Sequence, residues 1–204
     1  RPVVVASSTD ASRQTLGAGA RIRVDAPPGS VWAYLAVRGG IAVDDVLGSR
    51  SQDTLGGIGP VALATGSALP VGPDPGTDLA ADHAPPRDAT EVRVRIWDGP
   101  QHDWFIGGTQ GLIRQPWRIS RELSRVGVRL EGGPFDPSTR AQDQMPSIGL
   151  TAGAVQVTPS GEPIVMLANH PTTGGYPVIA VVEPDDLPDL AQCRPGASVR
   201  FRRA

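Results

Sequence analysis

The stretch "EVRVRIWDG" at residues 91–99 decides how this chain is read. Val92, Val94 and Ile96 alternate with Arg93 and Arg95, a period of two that suits a strand with one face on a core and the other in solvent. The pattern recurs. "ARIRVDA" (20–26) sets Ile22 and Val24 against Arg21, Arg23 and Asp25, and "SVRFRR" (198–203) repeats it near the end. "RPVVVASS" is a short β-branched run at the start. "VWAYLAVRGG" (31–40), "GAVQVTPSGEPIVMLA" (153–168) and "YPVIAVVE" (176–183) are more continuously apolar, as strands covered on both faces would be. "TPSGEP" (158–163) reads as a hairpin-type turn between Val157 and Ile164. Strands at short spacing, parted by Gly/Pro-rich turns, predict a mainly β protein, a barrel or a sandwich.

Helical signals are few. "IGGTQGLIRQPW" (106–117) predicts a short helix weakened by its glycines. "DDLPDLAQ" (185–192) has an aspartate pair, an early proline and "RPG" as its stop. Residues 72–90 are rich in Pro, Asp and Ala and read as a linker or mobile surface loop. The expected organisation is therefore an N-terminal β segment over 1–71 and a C-terminal β-barrel segment over 91–204, forming one domain together.

Composition narrows the chemistry. The 19 basic and 21 acidic residues give a formal charge of −2, which argues against a nucleic-acid binder. Every basic residue is arginine, and there is no lysine. The chain can form no lysine Schiff base, carries no P-loop lysine, and cannot itself bear biotin or lipoate. Guanidinium groups remain for gripping carboxylates and phosphates. The single Cys193 permits no internal disulfide and no multi-cysteine zinc site, and a reducing cytoplasm is the expected location. No apolar run is long enough for a membrane helix, and no signal peptide is visible at Arg1. A start without methionine, inside an extended-looking run, reads as a processed or truncated product.

Four stretches join polar groups to glycine-permitted backbone. "DDVLGSRSQDTLGG" (44–57) offers Arg50 and Ser51 beside a turn at Gly48, an anion grip or else a solvated loop of Ser and Asx turns. "WDGPQHDWF" (97–105) sets Gln101, His102 and Asp103 between aromatics. Adjacent residues of an extended chain point to opposite faces, so no metal site is expected there. "SRELSRVGVRLEGG" (120–133) spaces Arg125 and Arg129 four apart, on one face if both lie on a strand. "LANHPTTGGYPVIA" (167–180) gathers His170, Thr172, Thr173 and Tyr176 around two glycines that would expose amides to an anion.

Taken in order, "WAYLAVRGGI", "VLGSRSQDTLGG", "GPQHDWF", "RVGVRLEG", "PSIGLTAGAVQVTPSGEPIVMLANHPTTGGYPVIAVV" and "DLPDLAQCRPGASVRF" resemble one family, over residues 31–201. It is the biotin-dependent carboxyltransferase family, also called allophanate hydrolase subunit 2, or the C subunit of bacterial 5-oxoprolinase. It includes the antagonist of a sporulation-kinase inhibitor and part of urea carboxylase. The family carries an N-terminal part with its own glycine-rich motif, which this sequence lacks before Arg1. Two positions depart from the family pattern. Ile148 stands where members commonly carry an acid, and Asn169-His170 where many have an Asp-Arg pair.

The resemblance implies a cyclophilin-like β-barrel with few short helices, working beside a second subunit of related fold and, in oxoprolinase, a third lactam-utilisation subunit. It implies ATP-driven opening of the 5-oxoproline lactam to glutamate, with ATP bound here or by a partner and a small amide or lactam as substrate. The alternatives it leaves are biotin-dependent carboxyl transfer to urea or a related amide, and a non-catalytic regulator that binds a partner of related fold. In that frame His170 and Arg129 are the expected catalytic pair. Arg50, Ser51, Gln101, Arg125, Gln156, Thr172, Thr173 and Tyr176 would bind substrate, with no metal, nucleic acid or membrane involved.

Overall fold

The computed structural model describes residues 3–7, 13–54, 56–76, 91–133, 135–136 and 145–204. The chain divides into two units, one of residues 1–28 and 32–86, the other of residues 29–31 and 87–204. Of the stretch read as a linker, residues 77–90 lie outside the described residues.

The first unit holds a three-stranded antiparallel sheet in the order β2-β1-β3, with β1 at Val3–Ser7, β2 at Arg13–Leu16 and β3 at Leu35–Val37. Val5 of β1 is buried and sits opposite Gln14 and Val37. Two expectations fail in this unit. "ARIRVDA" forms no strand. Alternation alone supplies no partner for backbone N–H and C=O groups, and no described strand ladders with these residues. "VWAYLAVRGG" yields only the three residues of β3, an edge strand that ends at Gly39 and Gly40, both at positive φ. Its apolar side chains are not covered on both faces: Tyr34 is 63% exposed and Leu35 47%.

The second unit is a closed barrel in the order β11-β4-β12-β5-β6-β9-β8, sealed by pairing of β8 with β11. Its strands are β4 (Glu91–Asp98), β5 (Trp117–Leu123), β6 (Gly127–Glu131), β8 (Ala154–Val157), β9 (Pro163–Met166), β11 (Val178–Val182) and β12 (Ser198–Arg203). A two-stranded ribbon of β7 (Ile148–Gly149) and β10 (Thr173–Gly174) lies outside it. All ladders of the barrel are antiparallel except β4 with β12. The alternation at 91–98 works as read: Val92, Val94 and Ile96 are buried, and Val199 and Phe201 of β12 face the same core. Each such side chain contributes about 1.5–3 kcal/mol when fully buried.

The helices α1 (Gly108–Arg114) and α2 (Leu187–Gln192) fall where the sequence places them, and bury Leu112 and Leu190. Trp117 donates its indole N–H to the Leu112 carbonyl at 2.9 Å and stacks on Phe135 at 5.5 Å, so helix and barrel share one aromatic seam. A 3₁₀ turn at Pro184–Asp186 leads into α2. Arg95 pins that turn to β4, giving its backbone N–H and two guanidinium nitrogens to the Asp186 carboxylate at 2.7–3.0 Å. The mainly β barrel with few short helices, expected from both alternation and resemblance, is the fold that forms.

Candidate functional site

The loop at 167–180 is built onto the barrel by backbone hydrogen bonds. Leu167 N–H donates to the Val126 carbonyl at 2.9 Å and Asn169 N–H to the Arg125 carbonyl at 3.0 Å. His170 N–H closes a turn on the Leu167 carbonyl at 3.1 Å. The loop therefore lies against the β5–β6 hairpin turn, itself tightened by the Ser124 hydroxyl, which accepts from Val126 N–H at 3.1 Å. His170 Nδ1 sits 2.8 Å from the carbonyl of Pro171. A carbonyl oxygen can only accept, so Nδ1 carries a hydrogen, and in the neutral imidazole Nε2 is then the nitrogen with the lone pair.

Beyond His170 the chain enters β10. Thr173 pairs with Gly149 and Gly174 with Ile148, and Leu150 N–H donates to the Thr172 carbonyl at 2.9 Å. Both threonine side chains are exposed. Gly174 is required here by close approach. A Cβ at that position would fall 2.8 Å from both Gln156 Nε2 and Leu150 Cδ1.

The two glutamines hold the loop's exit. Gln156 is buried at 3% exposure and donates from Nε2 to the Tyr176 carbonyl at 2.9 Å. Gln101 Oε1 accepts from Val178 N–H at 3.0 Å, while its own backbone N–H donates to the Val178 carbonyl at the same distance. Val157 N–H adds a bond to the Pro177 carbonyl at 3.1 Å. Residues 176–178 are thus fixed from three directions, leaving the Tyr176 side chain 43% exposed.

Within this unit Gln101, Gln156 and the backbone carbonyl of Arg125 each hydrogen-bond to the loop that carries His170, Thr172, Thr173 and Tyr176. The expectation that Arg125 and Arg129 share a strand face is not met. Arg125 lies in the hairpin turn before β6 begins at Gly127, so strand alternation does not reach it. Arg129 is on β6, with Nε 3.0 Å from Glu122 Oε2 and an outer nitrogen 3.6 Å from Glu162 Oε2. Its positive charge is shared with two carboxylates, neither of which the sequence singled out. The visible signal was Glu122 two residues along β5 from Ser120, on the strand that pairs with β6.

Arg50 and Ser51 belong to the first unit. They follow a tight turn in which Val46 and Ser49 exchange backbone hydrogen bonds and both Leu47 and Gly48 have positive φ. Arg50 Nε donates to the Val43 carbonyl at 2.8 Å, and Ser51 N–H donates to the Ser49 hydroxyl at 3.1 Å. The Ser-turn geometry is the one that composition suggests for a solvated loop.

Near Gln101, the Asp98 carboxyl is held below the usual carboxylate range, first by Arg203, whose guanidinium lies 2.6 Å away. His102 Nδ1 turns back to the Gly99 carbonyl at 3.0 Å. Among the described residues no group of three or more His, Cys, Asp or Glu could hold a metal ion. No helix among them is long and apolar enough to cross a membrane.

Comparison with known proteins gives a consistent result. The family described as "carboxyltransferase domain, subdomain A and B" matches residues 6–203. The chain is similar to the C subunit of 5-oxoprolinase from Escherichia coli, with 35% identity over 193 residues, covering 93% of this chain and 61% of that protein. It is also similar to urea amidolyase of Lachancea kluyveri, with 29% identity over 205 residues, covering 83% of this chain and 11% of that protein. Among solved structures, that of TTHA0988 matches with a TM-score of 0.80 and 31% identity, over 99% of this chain and 42% of that one. The chain thus spans less than two thirds of the length of each of these relatives.

Proposed function

This chain belongs to the carboxyltransferase domain, subdomain A and B, family, and from that premise we propose that it serves as the C subunit of an ATP-dependent 5-oxoprolinase. The observation that carries the reading is 35% identity to a 5-oxoprolinase C subunit across 93% of the chain. It is supported by a loop whose histidine turns Nδ1 to a backbone carbonyl, so that Nε2 is the nitrogen not held by it, and which carries two exposed threonines. Residues 1–71 and 91–204, linked by 72–90, would form one carboxyltransferase-type domain.

Lactam opening requires attack on a ring carbonyl, donors for the charge that develops on its oxygen, and a proton for the departing nitrogen. In this reading His170 moves the proton through Nε2, and Thr172 and Thr173 present hydroxyl donors. Arg125 grips the substrate carboxylate, and Arg50 and Ser51 offer an anion grip of their own in the first unit. Arg129, poised between Glu122 and Glu162, supplies positive charge to the transition state. Gln101 and Gln156 act partly through the loop they brace, and Tyr176 forms a wall of the site. ATP hydrolysis in the complex supplies the driving force, with the nucleotide bound by this chain or a partner. The partners are a second subunit of related fold and a third lactam-utilisation subunit. No biotin is attached to this chain, and the complex works in the cytoplasm.

Similarity to a urea amidolyase favours, as a second reading, carboxyl transfer from biotin to urea or a related amide. The test is co-expression of the whole protein with the subunits encoded beside it, followed by assay of ATP hydrolysis that depends on 5-oxoproline. Consumption of ATP with 5-oxoproline supports the first reading. Carboxybiotin-dependent turnover of urea supports the second. A complex that forms and consumes none of these leaves only the regulator reading.

A further inference from the structure

Arg93 and Arg95 of "RVRI" and Arg200 and Arg202 of "RFRR" alternate with the core residues of their strands and make no hydrogen bond or ion pair to the loop at 167–180. Parallel pairing of β4 and β12 sets Arg93 beside Arg200 and Arg95 beside Arg202. Like charges directly opposite one another on neighbouring strands are destabilising. Carboxylates offset this only in part. Asp186 is committed to Arg95, the 3.0 Å and 2.8 Å bonds engaging both of its oxygens. Glu91 is divided between Arg93, at 3.0 Å, and Arg200, at 3.9 Å. Arg202 makes no ion pair among the described residues. Glu91, Arg93, Arg200 and Arg202, with Phe201, line a groove of about 430 Å³. Three guanidinium groups line that open groove with one carboxylate, Glu91, while Asp186, already bonded to Arg95, also feels the charge of Arg202.

We propose that this groove binds a small oxyanion carrying at least two negative charges, a phosphorylated or polycarboxylate compound. Guanidinium forks from two adjacent strands can clasp such a group in a bidentate manner and relieve the repulsion between them. The site is distinct from the loop at 167–180. Arg93 lies six residues before Gly99, roughly 20 Å along the strand at the usual rise. It does not depend on the 5-oxoprolinase reading.

Isothermal titration of the whole protein at fixed ionic strength tests it, with inorganic pyrophosphate and citrate as separate probes and sodium chloride as the control. The expected result is saturable one-to-one binding of at least one probe, and which probe binds tells phosphate from carboxylate chemistry. Arg200→Gln and Arg202→Gln should each weaken it roughly tenfold, whereas Arg121→Gln, at an exposed position of β5 outside the groove, should leave it unchanged. Each Gln variant should melt no lower than the wild type without ligand, because one member of a like-charge pair is removed, and should lose the upward shift that the probe gives the wild type. Absence of saturable binding by either probe would overturn the proposal. So would binding that survives the Arg93→Gln/Arg200→Gln double variant, or a groove that takes an acidic peptide but neither small anion.

Discussion

The side-chain amide of Gln156 donates to the Tyr176 carbonyl at 2.9 Å from directly beneath Gly174. A buried polar side chain on β8 thus sets the path of the loop that carries His170, Thr172 and Thr173. Replacing it with leucine removes the donor and leaves the carbonyl unpaired, at a cost of about 1–3 kcal/mol. The thermal midpoint should fall accordingly, and amide exchange should accelerate at Val157 and Val178. Gln156→Glu places an acceptor against an acceptor unless the new carboxyl is protonated. Its midpoint should therefore rise as pH is lowered from 7 to 5, a trend the wild type should not show.

Gly174 and Gly175 should respond differently to alanine. A Cβ at Gly174 meets Gln156 and Leu150 at 2.8 Å, whereas at Gly175 the nearest atom is Ser147 Oγ at 3.8 Å. Overpacking of this kind costs about 1–3 kcal/mol. Gly174→Ala should be destabilised and Gly175→Ala should not, as read by differential scanning calorimetry. Equal melting of the two would show that the loop does not rest on Gln156.

Arg95 and Asp186 fix the acid limb of stability. The Asp186 carboxyl is held below its ordinary range, chiefly by its hydrogen bonds to the Arg95 guanidinium, and Asp98 is held down in the same direction, chiefly by Arg203. A depressed carboxyl stabilises the fold fully above the unfolded value near about 4, and that contribution disappears as pH falls through the lower folded value. Chemical denaturation between pH 6 and pH 2 should show this loss. Asp186→Asn should be less stable near neutrality and should flatten the slope below pH 4.

Cys193 should be chemically quiet. Burial, aided by nearby Asp189, pushes its thiol up to about 11. Sγ lies 3.3 Å from the Asp189 carbonyl at the end of α2. With so little thiolate near neutrality, a disulfide reagent at pH 8 should label it only as fast as the unit opens. Rapid labelling under native conditions would contradict the packing of α2 against the barrel.

The sequence revealed strands more readily than their partners. Residues 91–98 and 198–203 were readable because alternation reports one buried face. Their parallel pairing, and hence the Arg93–Arg200 and Arg95–Arg202 juxtapositions, depends on tertiary contacts between segments far apart in the chain. Residues 20–26 alternate just as well and form no strand, because alternation does not create a hydrogen-bonding neighbour. Of the site, the loop around His170 stood out by its glycines and polar groups. The bonds from Gln101 and Gln156 did not, since their partners are backbone groups of the loop at 176–178. Arg125 has the spacing of a strand residue, but β6 begins only at Gly127.

The proton-transfer role of His170 is tested most directly by turnover of the assembled complex with His170→Ala in place of the wild-type chain. The complex should still elute intact on size exclusion while ATP hydrolysis dependent on 5-oxoproline drops by about 10²-fold or more, as loss of a proton-transfer group does. Turnover at the wild-type rate would contradict a proton-transfer role for His170, and a complex that falls apart when His170 is removed would contradict it too and make the loop an interface.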